Sequence, residues 1–321
     1  MASDKQAQDW FGWSISVSGN TIVVGANQEG TGGSNAGAAY VFARSGTTWT
    51  QQAKLMASDI QAGDYYAYNV SIDGDYVIVG SNQEDTGGSN AGAAYIYSRS
   101  GSTWTEIKKI QASNVSAGPQ FGIAVAIENG TVCIGAAIES TYGSQSGAAY
   151  IYGSQKVTNY YITDAGKYSV DATIAGLNYK TNELEVTGSI TPVKSWKENE
   201  TQILYASDAS ASDSFGYRVS ISGDYAIVGA RYEATGGTGT GAAYIYKRDP
   251  STGVWGSEQK IQANDKQAGD QFGESVGISG DYAIVGANGK NSVTGAAYIY
   301  KRDPSTGVWG SEQKIQASDK Q

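Results

Sequence analysis

Four glutamates hold matching places in a repeating text: Glu29, Glu84, Glu139 and Glu233, each four residues after the glycine that ends a short apolar run. The fifth copy has Lys290 at that place. Carboxylates brought together on one rim would grip a cation, an amine or a basic partner, while a lysine among them sets a positive charge against any symmetric metal ring. A second acidic series, Asp9, Asp64, Asp213 and Asp270 with Pro119 in the third copy, falls two residues before an aromatic residue and its small neighbour. Aspartate in a connecting loop most often caps a turn. Trp10, Arg231 and Tyr232 stand in the same loops and offer flat rings and a guanidinium for stacking on a sugar or a protein side chain. Glu29, Glu84, Glu139, Glu233, Trp10, Arg231 and Tyr232 are therefore the candidate ligand-binding residues.

Several chemistries are excluded at this level. The chain has no histidine, which removes Ser-His-Asp and Cys-His catalysis and leaves catalytic zinc without its usual ligand. Glycine-rich stretches such as Thr31-Gly-Gly-Ser-Asn35 lie between strand patterns and open no helix, so they are not phosphate loops. No metal and no cofactor is expected. The net charge is -9 and no block of lysines and arginines occurs, which argues against nucleic acid as a partner. No apolar run is long enough for a membrane-spanning helix. The one cysteine, Cys133, stands where the other copies have Val or Ile and reads as a small buried hydrophobe.

The elements that position these residues follow from the repeat. Gly-Ala-Ala-Tyr begins at Gly37, Gly92, Gly147, Gly241 and Gly295, at intervals of 55, 55, 94 and 54 residues. The aromatic-small pairs are Phe11-Gly12, Tyr66-Ala67, Phe121-Gly122, Phe215-Gly216 and Phe272-Gly273, and a tryptophan (Trp49, Trp104, Trp196, Trp255, Trp309) follows each Gly-Ala-Ala-Tyr. Residues 241–263 reappear unchanged at 295–317. Each copy reads as four strands. The first alternates, as in Phe11, Trp13, Ile15 and Val17, and period two means strand. A tight turn such as Ser18-Gly19-Asn20 follows. The second strand, Ile22-Val23-Val24 and its copies, is apolar on both faces and belongs between two packed layers. The third is Ala-Ala-Tyr-Ile-Tyr, and the fourth, from the tryptophan onward, is more polar, as an outer strand should be.

Four antiparallel strands recurring at this period predict an all-β fold: a β-propeller of five four-stranded antiparallel blades, with a small strand-rich insertion in blade three. The predicted domain is a single propeller over 1–321, with blades at about 2–59, 60–114, 115–208, 209–265 and 266–321. The long third interval holds the insertion, residues 155–194, between the third and fourth strands of its blade. There Asp164-x-Gly-x-Tyr168 followed by alternation resembles the last strands of an immunoglobulin-like domain, with Tyr168 in the place of the tyrosine corner.

The recurring Phe-Gly pairs, with Gly-Ala-Ala-Tyr in the Gly-Ala-Pro place, resemble the FG-GAP repeats that build integrin α-subunit propellers and many microbial and viral surface proteins. The resemblance implies a non-enzymatic extracellular or surface module for recognition, adhesion or scaffolding, which binds a protein or a glycan through one rim. The family usually closes with seven blades, and five are present here. Its calcium loop is not carried over, because the first hairpin is short and holds at most two acids, Asp73 and Asp75. Alternatives from other classes are a structural subunit of a filament, joined head to tail, and a carbohydrate-active enzyme working with paired carboxylates about 5–9 Å apart. Met1 directly precedes Ala-Ser-Asp-Lys-Gln, a phrase that recurs inside the repeats, and so reads as a start placed on a fragment of a longer chain that carries the targeting signal.

Overall fold

The alternating runs become strands, and the strands assemble into five antiparallel blade sheets, four of four strands and one whose outer position is shared by two, in the computed structural model. The structure describes residues 4, 6–114, 116–156, 199–290 and 294–318, together with 172–173, 177–180, 183–186, 191–192 and 194–197 of the intervening stretch. Blade one is β1 (Phe11–Ser18), β2 (Thr21–Ala26), β3 (Ala38–Ser45) and β4 (Thr48–Leu55). Blade two is β5 (Tyr66–Asp73), β6 (Tyr76–Ser81), β7 (Ala93–Ser100) and β8 (Thr103–Ile110). Blade three begins with β9 (Ala124–Glu128), β10 (Thr131–Ala136) and β11 (Ala148–Lys156). Then come β12 (Ala172–Thr173), β13 (Leu177–Lys180), β14 (Glu183–Val186) and β15 (Thr191–Pro192), which pair as β12 with β15 and β13 with β14. The outer position of blade three is shared by β16 (Lys194–Trp196) and β17 (Gln202–Leu204), both antiparallel to β11. Tyr168 lies outside the described residues. Blade four is β18 (Phe215–Ser222), β19 (Tyr225–Ala230), β20 (Ala242–Arg248) and β21 (Trp255–Ile261). Blade five is β22 (Phe272–Ser279), β23 (Tyr282–Ala287), β24 (Ala296–Arg302) and β25 (Trp309–Ile315). The fold is the expected five-bladed β-propeller.

The aromatic-small pair is a β-bulge. Register shifts between Phe11 and Ser14, Tyr66 and Asn69, Phe215 and Arg218, and Phe272 and Ser275. The bulge turns the aromatic ring onto the tyrosine of Gly-Ala-Ala-Tyr in its own blade, as in Phe215 on Tyr244 (centroids 5.4 Å apart) and Phe121 on Tyr150 (5.2 Å).

The cores lie between blades. Ile227, Ile245 and Ile261 of blade four enclose Phe272 and Ile278 of blade five, and Cys133, Ile151 and Leu204 of blade three enclose Phe215, Val219 and Ile221 of blade four. The innermost strands β1, β5, β9, β18 and β22 pack in succession. The glycine of Gly-Ala-Ala-Tyr makes this approach workable. Gly147 (φ +85°) forms an isolated parallel bridge with Phe215, and a Cβ there would overlap the Phe215 carbonyl oxygen and lie 2.7 Å from its carbon. Backbone hydrogen bonds cross each junction, as Ser212 N to Ser144 O (2.8 Å), Ser214 N to Gln145 O (3.1 Å) and Phe215 N to Ser146 O (3.1 Å). The tryptophans add to this packing: Trp196 packs edge-on against Tyr76 of blade two, and Trp309 against Tyr225 of blade four.

Among the described residues the first and fifth blades share no packed strand pair. Strand one was expected to bury its apolar face and strand two both of its faces. This holds at the four internal junctions and not at the two ends. Ile15 is 72% exposed where its blade-two counterpart Val70 is 4% exposed, and Ile284 is 43% exposed where Ile227 is 0%.

Candidate functional site

The glutamate series lies in the loops that join strands two and three, and each carboxylate is buried. Glu29 accepts hydrogen bonds from the amide (3.1 Å) and hydroxyl of Thr31 and pairs with Lys54 (3.0 Å). Lys54 also pairs with Asp4 (2.6 Å), which accepts the Tyr40 hydroxyl (2.9 Å). The pattern recurs in blade two as Tyr95–Asp59–Lys109–Glu84, with Lys109 2.6 Å from Asp59 and 2.8 Å from Glu84. It recurs in blade four as Tyr244–Asp208–Lys260–Glu233, at the same two distances. Each relay joins the third strand, the outer strand, the loop between strands two and three, and the segment that precedes the blade's first strand. In blade five the signs change. Lys290 takes the glutamate place and pairs with Asp270 (2.7 Å) and Asp265 (3.3 Å), and Lys314 also binds Asp265 (2.7 Å). The lysines and linker acids were the part of the network not foreseen. Their signal was present: each lysine stands five residues after its tryptophan in blades one, two, four and five.

Blade three departs from this pattern at four places around one carboxylate. The lysine is replaced by Ile203, the linker acid by Asn114, the second loop residue (Gly32, Gly87, Gly236) by Tyr142, and the glutamine that binds the glutamate in blades two and four (Gln111, Gln262) by Tyr205. Glu139 is thus a buried carboxylate with no cation bound to it among the described residues; its partners are the amide (3.0 and 3.1 Å) and hydroxyl of Thr141. Tyr142, 57% exposed, stands edge-on to Tyr205 with ring centroids 4.8 Å apart. The Tyr205 hydroxyl lies 3.5 Å from Thr141 Oγ1. Beside them is a cleft of about 380 Å³ lined by Tyr142, Ile203, Tyr205, Ser207, Tyr246 and Trp255.

The other candidate residues fall into two groups. Arg231 lies over the Tyr217 ring (3.6 Å to its centroid) and the Tyr232 ring (4.6 Å), and pairs with Glu274 (3.0 Å). Trp10 belongs to blade one, exposed and stacked on Trp13 (5.1 Å). The two acids of the first hairpin of blade two are both engaged: Asp73 accepts the Asn129 amide (2.7 Å) and Asp75 binds Arg99 (2.6 Å).

The second acidic series closes the connecting loops. Asp64, Asp213 and Asp270 each accept the amide three residues earlier at 2.7 Å, and Asp9 accepts that of Gln6 at 2.5 Å. Burial pushes Asp64 and Asp213 up to about 6, with Glu84 and Glu233 respectively adding like charge. Asp59, Asp208 and Asp265 go the other way. Although burial opposes it, hydrogen bonds from Lys109, Lys260 and Lys314 hold them below the usual carboxylate range, Asp265 at about 2. The signs give a pH profile. Between about pH 4 and 6 the folded chain binds more protons than the unfolded one through Asp64 and Asp213, so stability rises as pH falls through that window. The contribution of Asp59, Asp208 and Asp265 is complete above about pH 4 and is lost as pH falls toward 2. The thermal midpoint is expected to peak near pH 4–5, and Asp64→Asn with Asp213→Asn to flatten the rise between pH 6 and 4. A parent midpoint that drops across that interval contradicts these assignments.

A radial stack of four-stranded antiparallel blades, each starting with a bulged aromatic and tied to the next through a Gly-Ala-Ala-Tyr glycine, is a repeat β-propeller. The chain belongs to the FG-GAP repeat family, whose model matches residues 1–42, 49–97, 104–152, 199–246 and 255–300. No curated protein matches it. From the second match onward each unit begins with the outer strand of one blade and ends with the third strand of the next, so the sequence repeat is offset from the blade by one strand. No helix among the described residues is long and apolar enough to cross a membrane, and no cluster of three or more metal-ligating side chains occurs among them.

Proposed function

We propose that this chain is a non-enzymatic recognition module of an extracellular or surface protein, and that it binds a protein or glycan ligand on the rim formed by the strand two–three loops and the blade-connecting loops. FG-GAP repeats are typically non-catalytic and occur in extracellular and surface proteins, which supports both halves of the reading. One observation carries the choice of place. Blades one, two and four spend their rim carboxylates on internal lysines, whereas blade three has exchanged its lysine, its glutamine and a loop glycine for Ile203, Tyr205 and Tyr142 around Glu139. Paired tyrosine rings beside a cleft and a carboxylate suit a sugar ring or an aromatic or cationic side chain. Trp10, Arg231 and Tyr232 extend the same rim on blades one and four.

The test is a glycan array and a surface-protein pull-down with the intact chain, each repeated with Tyr142→Ala, which alters an exposed ring. Ligands captured by the parent are expected to bind Tyr142→Ala at least about tenfold more weakly. Capture that is unchanged in Tyr142→Ala, or absent from both panels with the fold intact, overturns the reading.

A further inference from the structure

Blades one, two and four each hold one lysine ammonium in the same four-part shell. Lys54 Nζ lies 3.0 Å from Glu29, 2.8 Å from the Thr31 hydroxyl and 2.6 Å from Asp4, with the Tyr40 ring centroid 5.5 Å away. Lys109 stands in the same way among Glu84 (2.8 Å), Thr86 (3.1 Å), Asp59 (2.6 Å) and the Tyr95 ring (5.7 Å). Lys260 stands among Glu233 (2.8 Å), Thr235 (3.0 Å), Asp208 (2.6 Å) and the Tyr244 ring (5.6 Å). One geometry repeated in three blades defines what the shell binds: a compact ammonium that points its donors in several directions and rests against an aromatic face.

Blade three keeps this shell and supplies no ammonium of its own among the described residues. Glu139 and Thr141 hold the places of the glutamate and threonine, and Tyr150 that of the ring. Asn114 holds the place of the aspartate, its Oδ1 accepting the Tyr150 hydroxyl (2.9 Å) as Asp59 and Asp208 accept those of Tyr95 (2.9 Å) and Tyr244 (2.8 Å). Ile203 stands where the lysine would be, uncharged and too short to reach the carboxylate. Glu139 is 6% exposed and accepts hydrogen bonds from Thr141 alone. A buried carboxylate with no opposing charge is costly to keep, and its counterparts Glu29, Glu84 and Glu233 each face a cation. The exchange of aspartate for Asn114 also lowers the shell from two negative charges to one, so a single ammonium would leave it neutral. Two further changes favour an occupant from outside. The glutamine that binds Glu84 and Glu233 is replaced by Tyr205, whose hydroxyl lies 3.5 Å from Thr141 Oγ1 and offers a further acceptor. The exposed Tyr142 ring flanks it, and the cleft of about 380 Å³ lies along Tyr142, Ile203 and Tyr205.

We propose that blade three receives the side-chain ammonium of a lysine from a partner protein, in the place that Lys54, Lys109 and Lys260 take in their own blades. The incoming ammonium pairs with Glu139 and donates to the Thr141 and Tyr205 hydroxyls, and its apolar stem lies along the Tyr142 and Tyr205 rings. Charge complementarity selects the occupant: a neutral sugar brings nothing to balance Glu139. The shell also favours lysine over arginine. Its occupants in the other blades are point charges, whereas a guanidinium fork calls for two free carboxylate oxygens, and Thr141 already engages both of those on Glu139. The inference rests on the reading of blade three as the binding rim and narrows its ligand to a protein that presents a lysine.

The experiment titrates Nα-acetyl-lysine methylamide into the intact chain and follows the tyrosine rings by NMR. The Tyr142 and Tyr205 signals are expected to shift and saturate. The Nε-acetylated probe, which lacks the charge, should bind at least about tenfold more weakly. Ile203→Lys places a tethered ammonium beside Glu139, as in blades one, two and four, and should abolish the response. Glu139→Gln should weaken it at least about tenfold, and circular dichroism checks both folds. Should Glu139→Gln fail to fold, Ile203→Lys carries the test, because it adds the charge that its neighbouring blades already hold. A probe that does not bind, that binds equally after Nε-acetylation, or that binds Ile203→Lys as it binds the parent overturns the inference. The two readings fail separately. A captured ligand that is lost with Tyr142→Ala but held equally by Ile203→Lys keeps the rim and overturns the lysine. Blank glycan and protein panels beside a charge-dependent probe response overturn the rim reading and support the ammonium shell.

Discussion

Gly147→Ala is expected to split the molecule in two. The added methyl has no free space: it overlaps the Phe215 carbonyl, and backbone on both sides of the junction is held by the Ser212, Ser214 and Phe215 amide bonds. Relief requires blade four to move away from blade three, which exposes Cys133, Ile151 and Leu204 on one side and Phe215, Val219 and Ile221 on the other. The cost should exceed about 4 kcal/mol, the range of core disruption rather than of local strain. Stability in a repeat stack is a sum of units and nearest-neighbour interfaces, so calorimetry should show one more transition for the variant than for the parent. Gly295→Ala makes the same chemical change in the same motif, also at positive φ (+74°), but meets no following blade. It should cost only the left-handed backbone strain, about 1 kcal/mol, or a few degrees of thermal midpoint. Equal losses at the two glycines would show that positive φ, and not blade contact, is what the motif requires.

Lys260→Ile should be the most damaging change on the rim. It leaves Glu233 buried with only Thr235 and Gln262 as partners, and deprives Asp208 of its cation. Removing one member of a buried ion pair costs about 3–5 kcal/mol, and the partial exposure of Lys260 brings the expectation to about 2–3 kcal/mol. Blade three already contains a tolerated version of the change, with Ile203 in place of the lysine and Asn114 in place of the aspartate, and Tyr150 still donates to Asn114 at 2.9 Å. Asp208→Asn combined with Lys260→Ile should therefore be less destabilised than Lys260→Ile alone, because the second substitution removes the stranded linker charge. A double-mutant cycle by denaturant unfolding reads this coupling directly. Strict additivity would mean that Asp208 and Lys260 act independently despite their 2.6 Å contact.

Much of the architecture was legible because strand, turn and repeat are local properties. The alternation of Phe215, Tyr217, Val219 and Ile221, the Ser222-Gly223-Asp224 turn and the doubly apolar run at Ala226–Val228 each announce their conformation within a few residues. Copying that text five times announces the stacking. What pattern could not deliver was burial at the ends, because burial belongs to a neighbouring blade: Ile15 and Val219 carry the same signal and differ only in whether a blade lies behind them. The rim was half legible. The recurrence of Glu29, Glu84, Glu139 and Glu233 was plain, but the lysines that bind Glu29, Glu84 and Glu233 enter from an outer strand about 25 residues later and the aspartates from the segment before the blade. Neither distance is a period of any single element. The departure at Tyr142 was readable in principle, since it interrupts a Thr-Gly-Gly phrase that the first, second and fourth copies share.

The shared text of the last two blades also bears on how such a gene can change. Residues 241–263 and 295–317 are identical, and each spans the third strand, the hairpin and the outer strand of its blade. An unequal crossover anywhere within that shared text would delete or add one blade, joining strands whose register and neighbours are unchanged. The blade count is thus a property that recombination within this text can alter while every strand keeps an equivalent pairing partner.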